Sequence, residues 1–476
     1  MDQYEIKNIC CIGAGYVGGP TMAVFAEHCS NIKIAVSDIN KERIDSWNQK
    51  DTSKLPIYEP GLDQIIKKTR NKNLFFTTNI KESIAKADLI FLSVNTPTKL
   101  KGVGAGKASD LRWVEASARQ IAEYATGHTI VVEKSTLPVR TAKTIKKILF
   151  NSQINKEDSD TDKTFSVLSN PEFLSEGNAI NDLQKPDRVL IGGDDEIAIE
   201  SLADLYLKWI PNEKIIRTNI WSSELSKLTA NAFLAQRISS INAMSALCEL
   251  TEADIKQVSE AIGLDSRIGK KFLNPGPGFG GSCFQKDILN LVYLCEYYNL
   301  NEVARYWEQV LTINNWQKDR ISKLIVNSLF GTVSDKKLAV LGFSFKANTN
   351  DTRNSACIKI CKDLIEEGAV LSIYDPKVSK NQIEADLGSP PYDMEFNLMN
   401  EAWTYSKSIE SSIKDSHAII ILTDWSEFKN LEWDLLFKKM QRPAWIFDTR
   451  YIVDAKILQK IGFNVWQIGN YSNSNF

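Results

Sequence analysis

Histidine is scarce in this chain: only His28, His128 and His417 occur, and none lies in a glycine-rich or polar motif where a general base would sit. A histidine-based mechanism is not expected. The eight cysteines, at 10, 11, 29, 248, 283, 295, 357 and 361, form no CxxC pair and have no histidine at metal-ligand spacing. Neither a disulfide framework nor a metal site is indicated. No apolar run approaches a membrane span, and the N-terminal MDQYEIKN carries charge where a signal peptide needs apolar residues. An excess of one charge is lacking too, with 57 basic against 59 acidic side chains, so nothing argues for nucleic acid or a membrane surface as partner. The expectation is a cytosolic protein whose cysteines are reduced and mostly buried.

What is present is ordinary globular composition, 43% apolar and 24% charged, over 476 residues, enough for several domains with their own cores. The first third alternates short β-branched runs with amphipathic stretches: IKNICCIG, a helix through Phe25, KIAVSD, a helix near Arg43, LIFLSV, a helix from Asp110 to Tyr124, and TIVVEKS. That rhythm predicts βαβ units and a parallel sheet. After SVLSN and RVLIGGD the strand pattern stops, and helical spacing without Pro or Gly from about Trp221 to Ala261 predicts one long central helix closed by Gly263. Helices follow at Phe284 to Tyr298 and Glu302 to Leu329. From Lys336 the βαβ pattern restarts with KKLAVLGFSF, a helix across Ile358 to Glu366, VLSIYDP, HAIIILTDW, AWIFDTR and FNVWQIG. The fold class is α/β: two Rossmann-like domains, 1–214 and 331–468, bridged by a long central helix and a helical dimerisation region, 215–330, with a frayed polar tail at 469–476.

Gly13-Ala14-Gly15-Tyr16-Val17-Gly18 follows a strand and opens a helix. Gly13 permits the tight turn, Gly15 lets the backbone approach a pyrophosphate, and Gly18 allows close helix packing. Asp38 ends the next strand, where a carboxylate accepts from ribose hydroxyls and repels a 2′-phosphate. NAD is favoured over NADP, with Arg43 near the adenine. The second α/β domain opens with LGFSFKANTNDTR, without the three-glycine spacing, and is not expected to bind a second dinucleotide in the same way. Lys346, Arg353 and Arg450 at its strand ends suit phosphate, and equally a solvated sheet edge.

The run Asn274-Pro275-Gly276-Pro277-Gly278-Phe279-Gly280-Gly281-Ser282-Cys283-Phe284-Gln285-Lys286-Asp287 is a loop ending at a helix start. There the helix dipole and Lys286 favour a thiolate on Cys283, and Asp287 lies one turn further on. A nucleotide cofactor beside a cysteine nucleophile suggests an aldehyde adduct on sulfur that loses hydride to give a thioester, which water hydrolyses to an acid. Lys227 and Asn231, four apart in WSSELSKLTANAF, share a helix face and suit a base and an oxyanion donor, although such a pair is more ordinarily a solvated face. Glu172 and Glu176 in NPEFLSEG carry the same two readings.

At these residues the chain resembles the UDP-glucose 6-dehydrogenase family, and the similarity runs from CCIGAGYVGGP to FDTR through PIYEPGL, SVNTPT, EKSTLPVRT, SNPEFLSEG, FGGSCFQKD and GFSFKANTNDTR. The resemblance implies four-electron oxidation of UDP-glucose to UDP-glucuronate with NAD and Cys283 as nucleophile. It sets Lys227 and Asp287 around a water or oxyanion, with Glu172 and Thr136 assisting proton transfer and hydrolysis. Implied NAD contacts are Gly13 to Gly18, Asp38, Arg43, Val94, Asn95, Thr96, Pro97, Thr98, Ser135, Thr136, Leu137, Glu176, Lys286 and Arg353. Implied sugar-nucleotide contacts are Glu172, Phe173, Leu174, Lys227, Asn231, the loop Asn274, Pro275, Gly276, Pro277, Gly278, Phe279 and Gly280, then Lys346 and Arg450. Arg267 resembles a residue reaching a neighbouring subunit, which implies a homo-oligomer, a dimer assembled into hexamers. Relatives of the animal type often carry lysine where this chain has Asn274, which bears on substrate charge contacts and on feedback by UDP-xylose. GDP-mannose or a UDP-N-acetylhexosamine remains the alternative substrate. A nucleotide-sugar sensor has no need of the nucleophile, nor has a two-electron hydroxy-acid dehydrogenase.

Overall fold

The computed structural model describes residues 4–135, 141–154, 163–388 and 402–471. Their contacts form two compact units, 1–230 with 289–297, and 231–288 with 298–476. The first is built on an eight-stranded sheet: β1 (Asn8–Ile12), β2 (Lys33–Ser37), β3 (Leu74–Thr77), β4 (Leu89–Leu92), β5 (His128–Glu133), β6 (Thr164–Ser169), β7 (Val189–Gly192) and β8 (Ile215–Thr218). The spatial order is β3-β2-β1-β4-β5-β6-β7-β8. All pairings are parallel except β6 with β7. Successive side chains of a strand leave the sheet on opposite faces. In β1, Cys11 accordingly enters the core with Phe25, Trp47 and Phe91, and Cys10 the core with Ile90, Ile121 and Ile145.

The second unit repeats the plan with β9 (Lys337–Leu341), β10 (Val370–Tyr374), β11 (Trp403–Tyr405), β12 (Ala418–Ile421), β13 (Trp445–Asp448) and β14 (Asn464–Gln467), ordered β11-β10-β9-β12-β13-β14 and parallel throughout. Strands such as AIII are buried at every residue because helices cover both faces.

Three expectations are corrected. The strand pattern does not stop at RVLIGGD, because β8 pairs with β7 and extends the first sheet past residue 214. The single helix expected to Ala261 is two: one runs Ile220–Leu250, and a second, Ile255–Gly263, starts at Asp254, whose carboxylate accepts from the Lys256 and Gln257 N–H groups. An acidic N-cap favours a new helix start at this point by satisfying two of that helix's free N–H groups. The expected frayed tail starts too early, since Gly469 donates its N–H to Glu249 at 2.9 Å and accepts from Ile255 N–H.

Candidate functional site

In the first unit, the glycine turn joins β1 to the helix Gly18–His28. Gly13 has φ +109°, and a Cβ there would lie 2.4 Å from the Ser93 carbonyl oxygen. A Cβ on Gly18 would lie 2.0 Å from the Gly13 carbonyl oxygen, whereas one on Gly15 would meet nothing within 4 Å. Two glycines thus close the turn and the middle one leaves its outer side open, the shape a pyrophosphate needs. Asp38 is buried and accepts from Ala14 N–H at 2.9 Å, from Asn40 N–H at 2.9 Å and from Arg43 Nη1 at 3.1 Å. The Asp38 carboxylate therefore ties the glycine turn to the end of β2 and anchors Arg43. Val94 to Thr98 follow β4, and Ser135 Oγ donates to the Val94 carbonyl at 2.7 Å. Thr136 and Leu137 lie outside the described residues.

The segment after β6 carries Glu172, Phe173, Leu174 and Glu176. Glu172 Oε1 accepts from the N–H groups of Phe173 at 2.8 Å and Leu174 at 3.0 Å, and its Oε2 lies 2.9 Å from Lys134 Nζ. Burial alone would push the Lys134 ammonium down, but Glu172 and Tyr206 outweigh it and hold it above its ordinary value. Nothing in TIVVEKS marked Lys134, because a lysine at a strand end ordinarily reads as solvated surface. Glu59 of PIYEPGL also gains a role: its buried carboxylate accepts from Gly177 N–H at 2.7 Å and Ala179 N–H at 3.0 Å, fixing the segment that holds Glu176. Lys227 is only 7% exposed and its Nζ lies 5.3 Å from the centre of the Phe173 ring, so the solvated-face reading fails for it. On the opposite face of β5 from Lys134, burial first and then the Glu224 carboxyl push the Glu133 carboxyl well above the usual range.

In the second unit, Cys283 precedes the helix Phe284–Tyr297, and Asp287 N–H donates to the Cys283 carbonyl at 2.9 Å. Asp287 is buried. Its Oδ2 accepts from Asn231 Nδ2 at 2.5 Å and its Oδ1 lies 3.2 Å from Lys286 Nζ. Asn231, Lys286 and Asp287 thus form one polar cluster at the start of the helix that Cys283 precedes. The approach loop is held by buried amide side chains that sequence reasoning passed over: Asn242 accepts from Gly276 N–H, Gln317 donates to the Gly276 carbonyl, and Asn314 bonds Phe279 in both directions. Gly281 N–H donates to the Arg353 carbonyl at 2.7 Å, and the Arg353 guanidinium is paired with Asp351. Arg450 donates to the carbonyls of Leu422 and Phe345, with Nη1 3.2 Å from where a Cβ on Gly276 would stand. Lys346 Nζ lies 5.5 Å from the Phe345 ring centre. Arg267 is not part of this cluster; it is exposed and pairs with Asp265.

The second sheet copies the first turn and fills it. Gly342 N–H donates to Tyr374 O at 2.8 Å as Gly13 does to Ser37 O, and Asp375 accepts from Phe343 and Ser344 as Asp38 does from Ala14. The positions equivalent to Gly15 and Gly18 are Ser344 and Ala347, and Ser344 Oγ is bonded inward to the Lys346 carbonyl. Among the described residues no cluster suits a metal ion, and no helix is long and apolar enough to cross a membrane.

Family models for the UDP-glucose/GDP-mannose dehydrogenases match in order: the NAD binding domain at residues 7–210, the central domain at 221–316 and the UDP binding domain at 339–455. UDP-glucose 6-dehydrogenase of Drosophila melanogaster is 55% identical over 465 residues, 97% of this chain and 96% of that protein. UDP-glucose 6-dehydrogenase 1 of Glycine max is 54% identical over 473 residues, 97% of this chain and 96% of that one. The solved structure of a UDP-glucose dehydrogenase from Pyrobaculum islandicum superposes with a TM-score of 0.82 at 28% identity, covering 98% of both chains. A UDP-D-ManNAc dehydrogenase from Pyrococcus horikoshii gives 0.78 at 25% identity, over 97% of this chain and 99% of that one.

Proposed function

Since the chain belongs to the UDP-glucose/GDP-mannose dehydrogenase family, an NAD-binding dehydrogenase family, we propose that it oxidises the 6-hydroxymethyl group of UDP-glucose to a carboxylate with Cys283 as covalent nucleophile. The observation that carries this reading is the cluster at the start of the cysteine helix, with Asp287 fixed between Asn231 and Lys286. NAD⁺ bound at the glycine turn supplies the hydride acceptor in each of two oxidations. Lys227 takes the alcohol proton or holds the water through which it leaves. The Cys283 thiolate then adds to the aldehyde carbon, and the resulting oxyanion is met by the remaining donor of the Asn231 amide and by Lys227. Loss of hydride from this thiohemiacetal leaves a thioester on Cys283. Water adds to that carbonyl, the carbon–sulfur bond breaks, and the acid departs as the thiolate is restored. Glu172 and Thr136 orient the water in this last step.

The sugar nucleotide is read onto the second unit, at the loop 274–280 with Lys346 and Arg450, because the filled turn at Ser344 leaves no dinucleotide cradle there. The chain is read as a cytosolic homo-oligomer, with exposed Leu225, Phe233 and Leu247 on the long helix as the apolar surface a second copy covers. Counting NADH formed per sugar over a panel of nucleotide sugars tests the reaction. Two NADH per UDP-glucose, with a sugar acid as product, is the expected result; one NADH, or a preference for GDP-mannose or a UDP-N-acetylhexosamine, would refute it.

A further inference from the structure

β6 and β7 pair antiparallel, with Ser169 opposite Gly192, in a sheet whose other described pairings are parallel. In an antiparallel register each step beyond Ser169 meets one step back from Gly192, so Phe173 comes opposite Arg188, the residue just before β7. Asn170 holds the two segments together by donating its Nδ2 to the Leu190 carbonyl at 2.8 Å. The outcome is a face contact: the Arg188 guanidinium carbon lies over the Phe173 ring, 3.9 Å from its centre. The Lys227 ammonium, brought by the helix Ile220–Leu250, lies over the same ring at 5.3 Å. Among the described residues neither cation has a hydrogen bond or an ion pair from its side chain, and the ring is the group that each rests on. Both are attracted by the negative face of the ring. Phe173 itself is half-buried, and a phenyl ring in that setting pivots about its two side-chain torsions unless a neighbour holds its face.

We propose that Arg188 is a positioning residue for the reaction: its guanidinium holds the face of the Phe173 ring, and the ring in turn sets where the buried Lys227 ammonium meets the substrate oxygen. A carboxylate partner would occupy the Lys227 donors and lock them. A ring face holds the ammonium while leaving its three N–H groups for a substrate oxygen or a water. Arg188 suits the task because its guanidinium is a rigid plate that keeps its charge at every working pH. Phe173 also donates its N–H to Glu172 Oε1 at 2.8 Å, so the residue whose ring seats Lys227 bonds Glu172 through its backbone. This role rests on Lys227 serving the reacting centre, as in the function proposed for the chain.

The test compares Arg188→Met, Arg188→Lys, Phe173→Leu and the double variant Arg188→Met/Phe173→Leu. Arg188→Met is expected to lose roughly twentyfold in kcat, with KM for the sugar nucleotide changed by less than about threefold, because a misplaced group near the chemistry costs rate before binding. In the Phe173→Leu background the same change should cost less than about twofold more, since both act through one ring. Nuclear magnetic resonance of the chain with ¹³C-labelled lysine gives a reading that owes nothing to turnover. The ring current of Phe173 displaces the Lys227 ε-methylene signal, which is identified as the one missing from Lys227→Arg, and Arg188→Met should move it toward the signals of exposed lysines. An unmoved Lys227 signal, a loss in KM with kcat kept, or an equal loss in the Phe173→Leu background would overturn the role. Should Arg188→Met fail to fold, Arg188→Lys decides the matter, because it keeps the charge and removes the plate. It should lower kcat at least about fivefold and move the Lys227 signal; wild-type values for both would overturn the role. A wild-type chain that reduces no NAD⁺ with any nucleotide sugar would sink the proposed reaction instead, and the Lys227 signal in the variants would still decide whether Arg188 seats it.

Discussion

Cys283 differs from the other seven cysteines in one observable respect: it is partly exposed while they are buried. Burial pushes several of those thiols up, Cys11 to about 12, which keeps them protonated and inert. Replacing Cys283 by serine keeps the shape and removes both the nucleophile and the good leaving group. Turnover should fall by roughly a thousandfold or more, as for other deleted nucleophiles. Single-turnover mass spectrometry should find either no acid or a sugar trapped on the substituted serine; acid formed by Cys283→Ala at near wild-type rate would defeat the covalent mechanism. Glu133 offers a second test. Its folded carboxyl keeps a proton that the unfolded chain loses above about pH 4.3, so the stability it contributes is complete below that value and is lost as pH rises through its raised folded value. Glu133→Gln removes this titration, and its melting temperature should therefore fall less than the wild type's between pH 4.5 and 8; parallel curves would exclude the effect. Cys283 and Asp287 were legible because a glycine-rich run announces them. Lys134 was not, because its burial depends on Tyr206 and Asn170, which are distant in sequence.

The strands that sequence pattern missed are β3, β8 and β11, and each is an edge of its sheet. Their burial alternates or fades, as in IIRT and WTY, whereas central strands such as LIFL are buried at every position and stand out as apolar runs. A short edge strand is stabilised by a neighbour on one side only, so its own residues need carry little of the signal. The break at Asp254 is a matter of chemistry instead, since helical periodicity runs on through Thr251 to Asp254 while the cap satisfies the next helix. Asp254 also accepts from the Tyr451 hydroxyl at 2.7 Å. Asp254→Ala should cost about 1–2 kcal/mol and lower the melting temperature by roughly 2–8 °C. Asp254→Asn, which can still cap, should lose much less. Calorimetry on the two variants checks this, and equal melting temperatures for both would contradict it.

Two sheets of the same winding raise the question of how many dinucleotides one chain takes up. The answer expected from the turns is one, because Gly15 opens outward while the equivalent Ser344 side chain occupies its own cradle. Equilibrium titration should give a single NAD⁺ per chain, abolished by Gly18→Leu, whose side chain would drive into the Gly13 carbonyl. Two equivalents would refute it. Both sheets were legible from the recurrence of βαβ rhythm, but the grouping of residues 289–297 with the first unit was not, because it follows contacts and ignores chain order. The first unit reclaims residues 289–297 after the chain has already entered the second, and that stretch is held there by the Lys107–Glu296 ion pair at 2.6 Å and by Tyr293 against Gly104. Anyone grafting the cofactor half of this chain onto a relative with another sugar preference must therefore move two gene segments, 1–230 and 289–297. A chimera joined at a single point in the long helix would inherit a foreign filling beneath the Gly104 loop.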